Sequence, residues 1–174
     1  MGSDAPLPYS GHIPRLRAYP SRMASRQSLR AAPLDDQQMD AWHGFLRAHA
    51  SMVRQLDAEM QAEHDLSLTQ YEVLLMLSRA PGNSVRMSDL ADGALLSLSG
   101  LSRLVDRLET MGLVKRSQCP DDRRSSLACL TPAGRKRFRE AQPTHHQGVR
   151  TLFIDRLPAG SAPSLNEAWA ALDR

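Results

Sequence analysis

Residues 97–116 read SLSGLSRLVDRLETMGLVKR and contain one complete helix followed by the start of a strand. Ser97 is a typical N-cap residue, because its hydroxyl can accept a hydrogen bond from an unpaired backbone N–H of the first turn. Apolar residues then recur at steps of three and four, as on one face of an α-helix: Leu101, Leu104, Val105, Leu108 and Met111. Gly112 stands where a glycine commonly ends a helix. We therefore predict a helix that ends at Met111.

A shorter helix is expected just before this one, at about residues 87–94. Ser84 and Ser88 are both candidates for its N-cap, and the sequence does not choose between them. A turn at residues 94–96 joins the short helix to the longer one. The pair is therefore predicted to form a helix-turn-helix.

A β-hairpin is expected directly after the second helix. Residues 113–116 and 127–130 have the composition of two short strands, and the segment 119–124 between them carries proline and aspartate, which favour a turn. Arg123 and Arg124 would then lie at the hairpin tip, where arginines can enter a minor groove of DNA.

The outer face of the second helix is polar and partly basic. Side chains of this kind, near the N-terminus of such a helix, can reach base edges and phosphates in the major groove. Together with the hairpin, they predict a DNA-binding motif. The residues of this face are Ser99, Ser102, Arg103, Asp106 and Arg107.

Two helices are expected before this motif, each opened by a capping box. Asp35 with Gln38 opens a helix that continues to about residue 64, and Ser67 with Gln70 opens the next. The segment 80–83, Ala-Pro-Gly-Asn, should end the second of these helices.

Two further helices are expected after the hairpin. Thr131-Pro132 is an N-cap followed by a proline at the first helical position, and this helix should run to about Leu157, with Pro143 bending or interrupting it. A short last helix follows. These terminal helices carry more apolar surface than one small lobe can cover, which predicts a homodimer; the residues are Trp42, Phe45, Phe153, Trp169 and Leu172.

Composition and charge agree with a DNA-binding protein. The chain has 174 residues, of which 41% are hydrophobic and 24% charged, and its longest apolar runs are too short to span a membrane. Residues 103–137 hold nine basic and four acidic side chains, whereas residues 35–102 hold four basic and ten acidic ones. A basic block beside an acidic one is typical of a nucleic-acid-binding face on a folded body. An ordinary solvated surface gives the same distribution, so charge alone does not decide between the two.

Residues 1–33 differ from the remainder of the chain. They contain five of the eleven prolines, five arginines and almost no periodic apolar pattern, and they have no unbroken apolar run of the kind found in a secretory signal. This composition predicts a flexible basic arm outside the folded domain at 34–174.

Several short stretches together resemble the winged helix-turn-helix of the MarR (multiple antibiotic resistance regulator) family. They are Leu90-Ala91, the run from Gly100 to Glu109, Gly112-Leu113-Val114, Asp122-Arg123-Arg124 and Leu130-Thr131-x-x-Gly134. The resemblance covers about residues 34–157 and is most specific in 90–134. Leu98 departs from the family's pattern, in which a polar or basic residue is frequent at this place.

The resemblance implies a mainly α fold and a sequence-specific regulator of transcription in the cytoplasm, associated with the nucleoid when bound to DNA. It implies a winged helix-turn-helix at 66–131, dimerisation helices at 34–65 and 132–174, and a homodimer on a pseudo-palindromic double-stranded operator. Ser99, Ser102, Arg103 and Arg107 are implied as contacts of the recognition helix. Asp122 is implied to steady Arg124 in the minor groove, beside Arg123 at the wing tip.

The resemblance also implies a repressor that small phenolic or aromatic ligands release from DNA. The crevice between the dimerisation helices and the winged lobe would bring together His49, Met52, Tyr71 and Glu72.

Two alternative functions remain open at this point. Cys119 lies beside basic residues, which can lower a thiol pKa, so it could sense oxidants; Cys129 is expected to be a small apolar residue in a strand. A winged helix could also serve protein interaction without DNA binding. No enzyme motif is present, and no cofactor or metal is predicted, because the histidines lack metal-ligand spacing: His43, His49, His64, His145 and His146.

Overall fold

The computed structural model describes residues 32–118 and 126–172, and within them six helices accompany a small three-stranded sheet. Short 3₁₀ turns at Pro81–Asn83 and Ile154–Arg156 follow the second and fifth helices. In chain order the elements are α1 (Asp36–His64), α2 (Leu68–Arg79), β1 (Ser84–Arg86), α3 (Met87–Gly93), α4 (Leu98–Thr110), β2 (Val114–Gln118), β3 (Ser126–Leu130), α5 (Pro132–Leu152) and α6 (Ser161–Leu172).

Both predicted capping boxes are present. The Asp35 carboxylate accepts a hydrogen bond from the Gln38 backbone N–H at 2.8 Å, and the Gln38 side chain accepts one from the Asp35 N–H at 3.1 Å. At α2, Ser67 and Gln70 make the same pair of bonds, at 3.2 and 2.8 Å. These local signals set the first residues of α1 and α2, as the sequence predicts.

The sheet is antiparallel with the strand order β1-β3-β2. Val85 pairs with Ala128, and β2 and β3 pair from Val114 with Leu130 to Gln118 with Ser126. The two longer strands were predicted, but β1 was not. Its three residues are too few to show a period, and they form a strand only because β3 lies beside them.

The core lies where α2, α3, α4 and α5 meet the sheet. Its fully buried side chains are large and mostly aliphatic: Tyr71, Leu74, Leu77, Leu90, Leu101, Val105, Leu108 and Phe138. Of the predicted apolar face of α4, Leu104 and Met111 are half-buried against this core, and the other residues are fully buried. A second, smaller cluster of Leu56, Leu68 and Leu152 joins α1 to α2 and α5. The predicted mainly α, winged helix-turn-helix fold is confirmed.

The end of α4 is fixed by glycine and by the start of α5. Gly112 has φ +71°, and the N–H groups of Gly112 and Leu113 donate to the carbonyls of Glu109 and Leu108, which is the Schellman arrangement. The Thr131 hydroxyl donates to the Gly112 carbonyl at 2.8 Å and accepts from the Gly134 N–H at 2.9 Å. Thr131 therefore caps α5 and ties it to the turn between α4 and β2.

Two details of the predicted helices are wrong. Neither Ser84 nor Ser88 caps α3, because Arg86 occupies the N-cap position and makes no side-chain cap bond. The helix α5 ends at Leu152 rather than near Leu157; the Arg156 guanidinium donates to the Thr151 carbonyl at 3.0 Å, which satisfies a carbonyl of the last turn.

Pro143 lies inside α5 without interrupting it. Proline removes one helical hydrogen bond, but contacts with α1 hold the next turn in place. Thr144, the next residue, donates to the Glu63 carboxylate at 2.7 Å and lies 2.8 Å from His64 Nε2.

Candidate nucleic-acid interface

The turn between α3 and α4 sets where the second helix starts. Backbone N–H groups of Ala94 and Leu96 donate to the carbonyls of Leu90 and Ala91, at 3.0 and 2.9 Å. Leu95 between them has φ +55°, in the left-handed region. Ser97 then caps α4 by accepting from the Gly100 N–H at 3.1 Å, so the predicted cap is confirmed.

The predicted recognition residues on α4 lie on its outer side. Ser99, Arg103 and Arg107 are exposed, whereas Ser102 is half-buried. Within the described ranges, Arg103 and Arg107 make no hydrogen bond or ion pair. Their guanidinium groups are therefore presented to solvent on the face that sequence reasoning assigned to DNA.

Arg116 on β2 holds the neighbouring flank of α4. Its Nη1 donates to the Asp106 carboxylate at 2.6 Å and makes a short ion pair with Glu109, and its backbone N–H donates to Glu109 Oε1 at 2.7 Å. Its Nη2 donates to the Ser102 carbonyl at 3.0 Å and to the Ser102 hydroxyl at 3.2 Å.

The electrostatics of this network favour the charged guanidinium. Burial opposes the charge, but Asp106 and Glu109 outweigh it and raise the pKa of Arg116 above its ordinary value. Arg116 offsets one of the two negative charges of Asp106 and Glu109, and with Arg103 and Arg107 this side of α4 keeps a net positive charge. The Ser102 hydroxyl accepts from Arg116, which fixes the position of this side chain beside β2.

Sequence reasoning assigned Arg116 to a strand and gave it no role. A signal was available: Asp106 and Glu109 lie three residues apart on one helix face, and an arginine follows the turn at Gly112. The three side chains meet only because β2 packs beside α4, and the sequence does not show this packing.

The hairpin carries the remaining predicted DNA contacts. Its strands β2 and β3 are present, and their last pair is Gln118 with Ser126. Asp122, Arg123 and Arg124 lie outside the described residues, as does Cys119, so their predicted roles remain predictions.

The four predicted effector residues lie on α1 and α2 and differ in exposure, and their role in binding a ligand remains a prediction. Tyr71 is only 1% exposed, and its ring stacks on Phe138 and on His145, with centroids 5.4 and 4.5 Å away; burial raises its pKa to about 12. Glu72, the next residue of α2, is exposed as a residue, but partial burial of its carboxyl raises the pKa of this group. On α1, His49 is exposed and stacked on Phe45, and Met52 is half-buried against the Leu56 cluster.

Two further observations concern the other candidate chemistries, of which thiol sensing by Cys119 lies outside the described residues. Cys129 is half-buried on β3, with its sulfur 3.2 Å from the Ser117 hydroxyl. Over residues 32–118 and 126–172, no cluster of three His, Cys, Asp or Glu side chains is placed to hold a metal. None of the helices in the same ranges is long and apolar enough to cross a membrane.

A short helix, a turn, a longer helix with exposed arginines and a following hairpin define a winged helix-turn-helix protein. The family model described as "MarR family" matches residues 64–125. Two solved structures from Streptomyces coelicolor are similar over 82% of this chain. AbsC, a MarR family transcriptional regulator, is 34% identical with a TM-score of 0.76 and 95% of its chain covered. Sco3205, a MarR family regulator in complex with DNA, is 31% identical with a TM-score of 0.77 and 89% covered.

Curated relatives agree over shorter stretches. YfiV of Bacillus subtilis, an uncharacterized HTH-type transcriptional regulator, is 41% identical over 75 residues, which are 43% of this chain and 46% of that protein. HosA of Escherichia coli, a transcriptional regulator, is 32% identical over 53% of this chain and 67% of its own length. The match thus spans about half to two thirds of these relatives. The chain belongs to the MarR family of transcriptional regulators.

Proposed function

We propose that this protein binds double-stranded DNA of a specific sequence as a homodimer and represses transcription until a small aromatic ligand releases it. The observation that carries the proposal is the outer face of α4, where Arg103 and Arg107 are exposed while Arg116 holds the helix flank against β2. The likeness to Sco3205, which was solved in complex with DNA, supports DNA binding by this chain.

In this proposal α4 enters the major groove and the hairpin reaches the minor groove. Ser99, Ser102, Arg103 and Arg107 contact bases and phosphates, since the N-terminal half of a recognition helix faces base edges. Arg124, with Arg123 and Asp122 beside it, reads groove width and phosphate charge at the wing.

A homodimer is supported by an apolar surface on the terminal helices, which fits their proposed role at 34–65 and 132–174. Trp42 is 52% exposed on α1 and Trp169 is 41% exposed on α6, and Phe45 lies between them with its ring centroid 6.0 Å from that of Trp169. Large exposed aromatic groups in one place are typical of an interface. Two copies would present two α4 helices to an inverted repeat.

The test is selection from a random duplex library, followed by fluorescence anisotropy on the enriched duplex and on a scrambled one. The proposal predicts an enriched inverted repeat whose half-sites lie about one helical turn apart. It also predicts binding at least about 1,000-fold tighter than to the scrambled duplex at physiological salt. Equal affinity for both duplexes would contradict sequence-specific recognition.

The effector part of the proposal has its own test. A panel of phenolic acids is added to the complex with the enriched duplex, and both the DNA affinity and the melting temperature of the free protein are followed. An effector must bind the DNA-free form better in order to release the protein, so it should lower affinity and raise the melting temperature. A panel that changes neither quantity would count against release by this class of ligand.

A further inference from the structure

Two leucines are exposed at the start of the recognition helix. Leu95, in the turn between α3 and α4, is 72% exposed, and Leu98, the first residue of α4, is 59% exposed. We call them the leucine pair. Leu101 and Leu108 of α4, by contrast, are fully buried in the core, so the exposure of the pair is not a general property of this helix.

The backbone conformation at Leu95 is unfavourable for leucine. Its φ of +55° lies in the left-handed region, which glycine occupies without strain and leucine does not. Leucine at this position is thus unfavourable for the turn and also exposes apolar surface. Both costs point to a use of the side chain outside the folded lobe.

The surroundings of the leucine pair favour DNA as the molecule that the pair contacts. Side chains of a helix lean toward its N-terminus, so Leu98 projects toward the end of α4 that faces base edges in a helix-turn-helix. Ser99 and Arg103 are exposed on the same half of the helix. The apolar surface assigned to a second copy lies on α1 and α6, which are different elements.

We propose that the leucine pair packs against thymine 5-methyl groups in the major groove and makes this protein selective for thymine at those positions. The inference rests on the proposed DNA-binding function. In the major groove thymine is the base whose edge carries a methyl group, and apolar side chains recognise it by contact. Uracil pairs in the same way but lacks that methyl group, so it isolates the contact.

The experiment measures affinity for the selected duplex and for the same duplex with deoxyuridine at each thymidine of the half-sites, one position at a time. Burial of one methyl group corresponds to about a fourfold change in affinity, and about 15-fold when both half-sites are changed. At one or two positions, replacing thymidine by deoxyuridine should weaken binding of the wild-type protein by this factor. Leu98→Ala should bind the thymidine duplex more weakly and lose its sensitivity to the methyl group at one of those positions.

Two variants and one measurement control this result. Thr110→Ala changes an exposed residue at the opposite end of α4 and should keep the full sensitivity to the methyl group. Leu95→Gly should preserve or raise the melting temperature, because it relieves the left-handed backbone, and yet weaken binding to the thymidine duplex. Light scattering should give Leu98→Ala the wild-type mass.

The outcomes separate this inference from the function beneath it. If the wild type binds specifically but is insensitive to every methyl group, the leucine pair does not contact thymine, although the DNA-binding function stands. A Leu98→Ala variant that keeps the wild-type sensitivity would lead to the same conclusion. A light-scattering mass of Leu98→Ala that differs from the wild-type mass would show that the leucine pair contacts a second copy of the chain, and this result would also overturn the inference. Failure to enrich any duplex would overturn the DNA-binding function and the inference together.

Discussion

Arg116 connects the two parts of the proposed DNA-binding surface. Its guanidinium contacts Asp106, Glu109 and the Ser102 backbone, so this side chain helps the core and the turn at Gly112 to orient α4 against the hairpin. Because Asp106 is more than half exposed, the pair with Asp106 contributes little by itself. The half-buried bonds of the guanidinium to Glu109 and Ser102 contribute more.

We expect Arg116→Ala to lower the free energy of unfolding by about 1–2 kcal/mol, because it removes several charge-assisted hydrogen bonds. It should also weaken binding to the enriched duplex, since α4 is no longer fixed against β2. Urea unfolding and anisotropy measure the two effects. Lys115→Ala is the matched control on the same strand, because within the described residues Lys115 bonds to nothing on α4. Equal effects of the two variants would contradict the positioning role.

His145 should make stability depend on pH. Its ring is stacked on Tyr71, and no described group bonds to its buried Nδ1; burial, and then the neighbouring His146, lower its pKa to about 4. A depressed histidine pKa means that the unfolded chain binds the proton first. Stability is therefore full above about pH 6.5 and should fall, by up to about 1.4 kcal/mol per pH unit, as the pH drops toward 4.

Urea unfolding at pH 7.5 and at pH 5 checks this prediction. His145→Phe keeps an aromatic ring beside Tyr71 and should reduce the difference between the two pH values, whereas His146→Gln, which changes an exposed neighbour, should retain most of it. If His145→Phe keeps the full difference, another group is responsible.

At the scale of elements, the packing of α5 against the turn after α4 depends on Gly134. A Cβ added there would lie 2.0 Å from the Leu113 carbonyl oxygen and 2.8 Å from Leu130 Cδ1, and the first of these atoms is backbone that cannot rotate away. Gly134→Ala should therefore destabilise the protein by about 1–3 kcal/mol despite the better helix propensity of alanine. Thermal or urea unfolding measures the change.

Gly44→Ala provides the matched control, because a Cβ at Gly44 in α1 meets nothing within 4 Å. This substitution should stabilise the protein by about 0.5–1 kcal/mol. Similar effects of the two substitutions would contradict the close packing assigned to Gly134.

The elements that the sequence predicted well are those with local causes. Ser97, Thr131 and the two capping boxes bond to backbone within three residues of themselves, so their spacing is visible in the chain. By contrast, β1 depends on β3, more than forty residues away, and α5 continues through Pro143 because of contacts with α1. Long-range contacts of this kind leave no periodic signal.

The candidate site shows the same division. The exposed positions of Ser99, Arg103 and Arg107 follow from helix periodicity, which the sequence displays. The role of Arg116 depends on how β2 packs against α4. The buried position of Tyr71 depends on the packing of α5 over α2. Sequence patterns report which face a residue occupies, but not which element covers that face.

At the scale of the whole molecule, the apolar surface on α1 and α6 predicts a dimer in solution. Light scattering should give about twice the 19.3 kDa mass of one chain at micromolar concentration. Phe45→Glu places a charge between Trp42 and Trp169 and should give monomers, while removal of residues 158–174 should lower solubility.

Leu95→Glu is the control, because Leu95 is also exposed but lies outside α1 and α6. It should leave the dimer intact. A wild-type mass near that of one chain would contradict the homodimer.

The most direct test of the whole account is anisotropy with the enriched and scrambled duplexes over a series of salt concentrations, for the wild type, Arg103→Ala and Arg124→Ala. Arg103→Ala should lose about 1–3 kcal/mol of discrimination for each half-site, with little change on scrambled DNA. Arg124→Ala should weaken both complexes. It should also reduce the slope of the logarithm of affinity against the logarithm of salt concentration by about 0.9 for each phosphate group that the variant no longer neutralises. If Arg103→Ala binds both duplexes as the wild type does while circular dichroism shows it folded, α4 does not read the DNA sequence and the central claim is wrong.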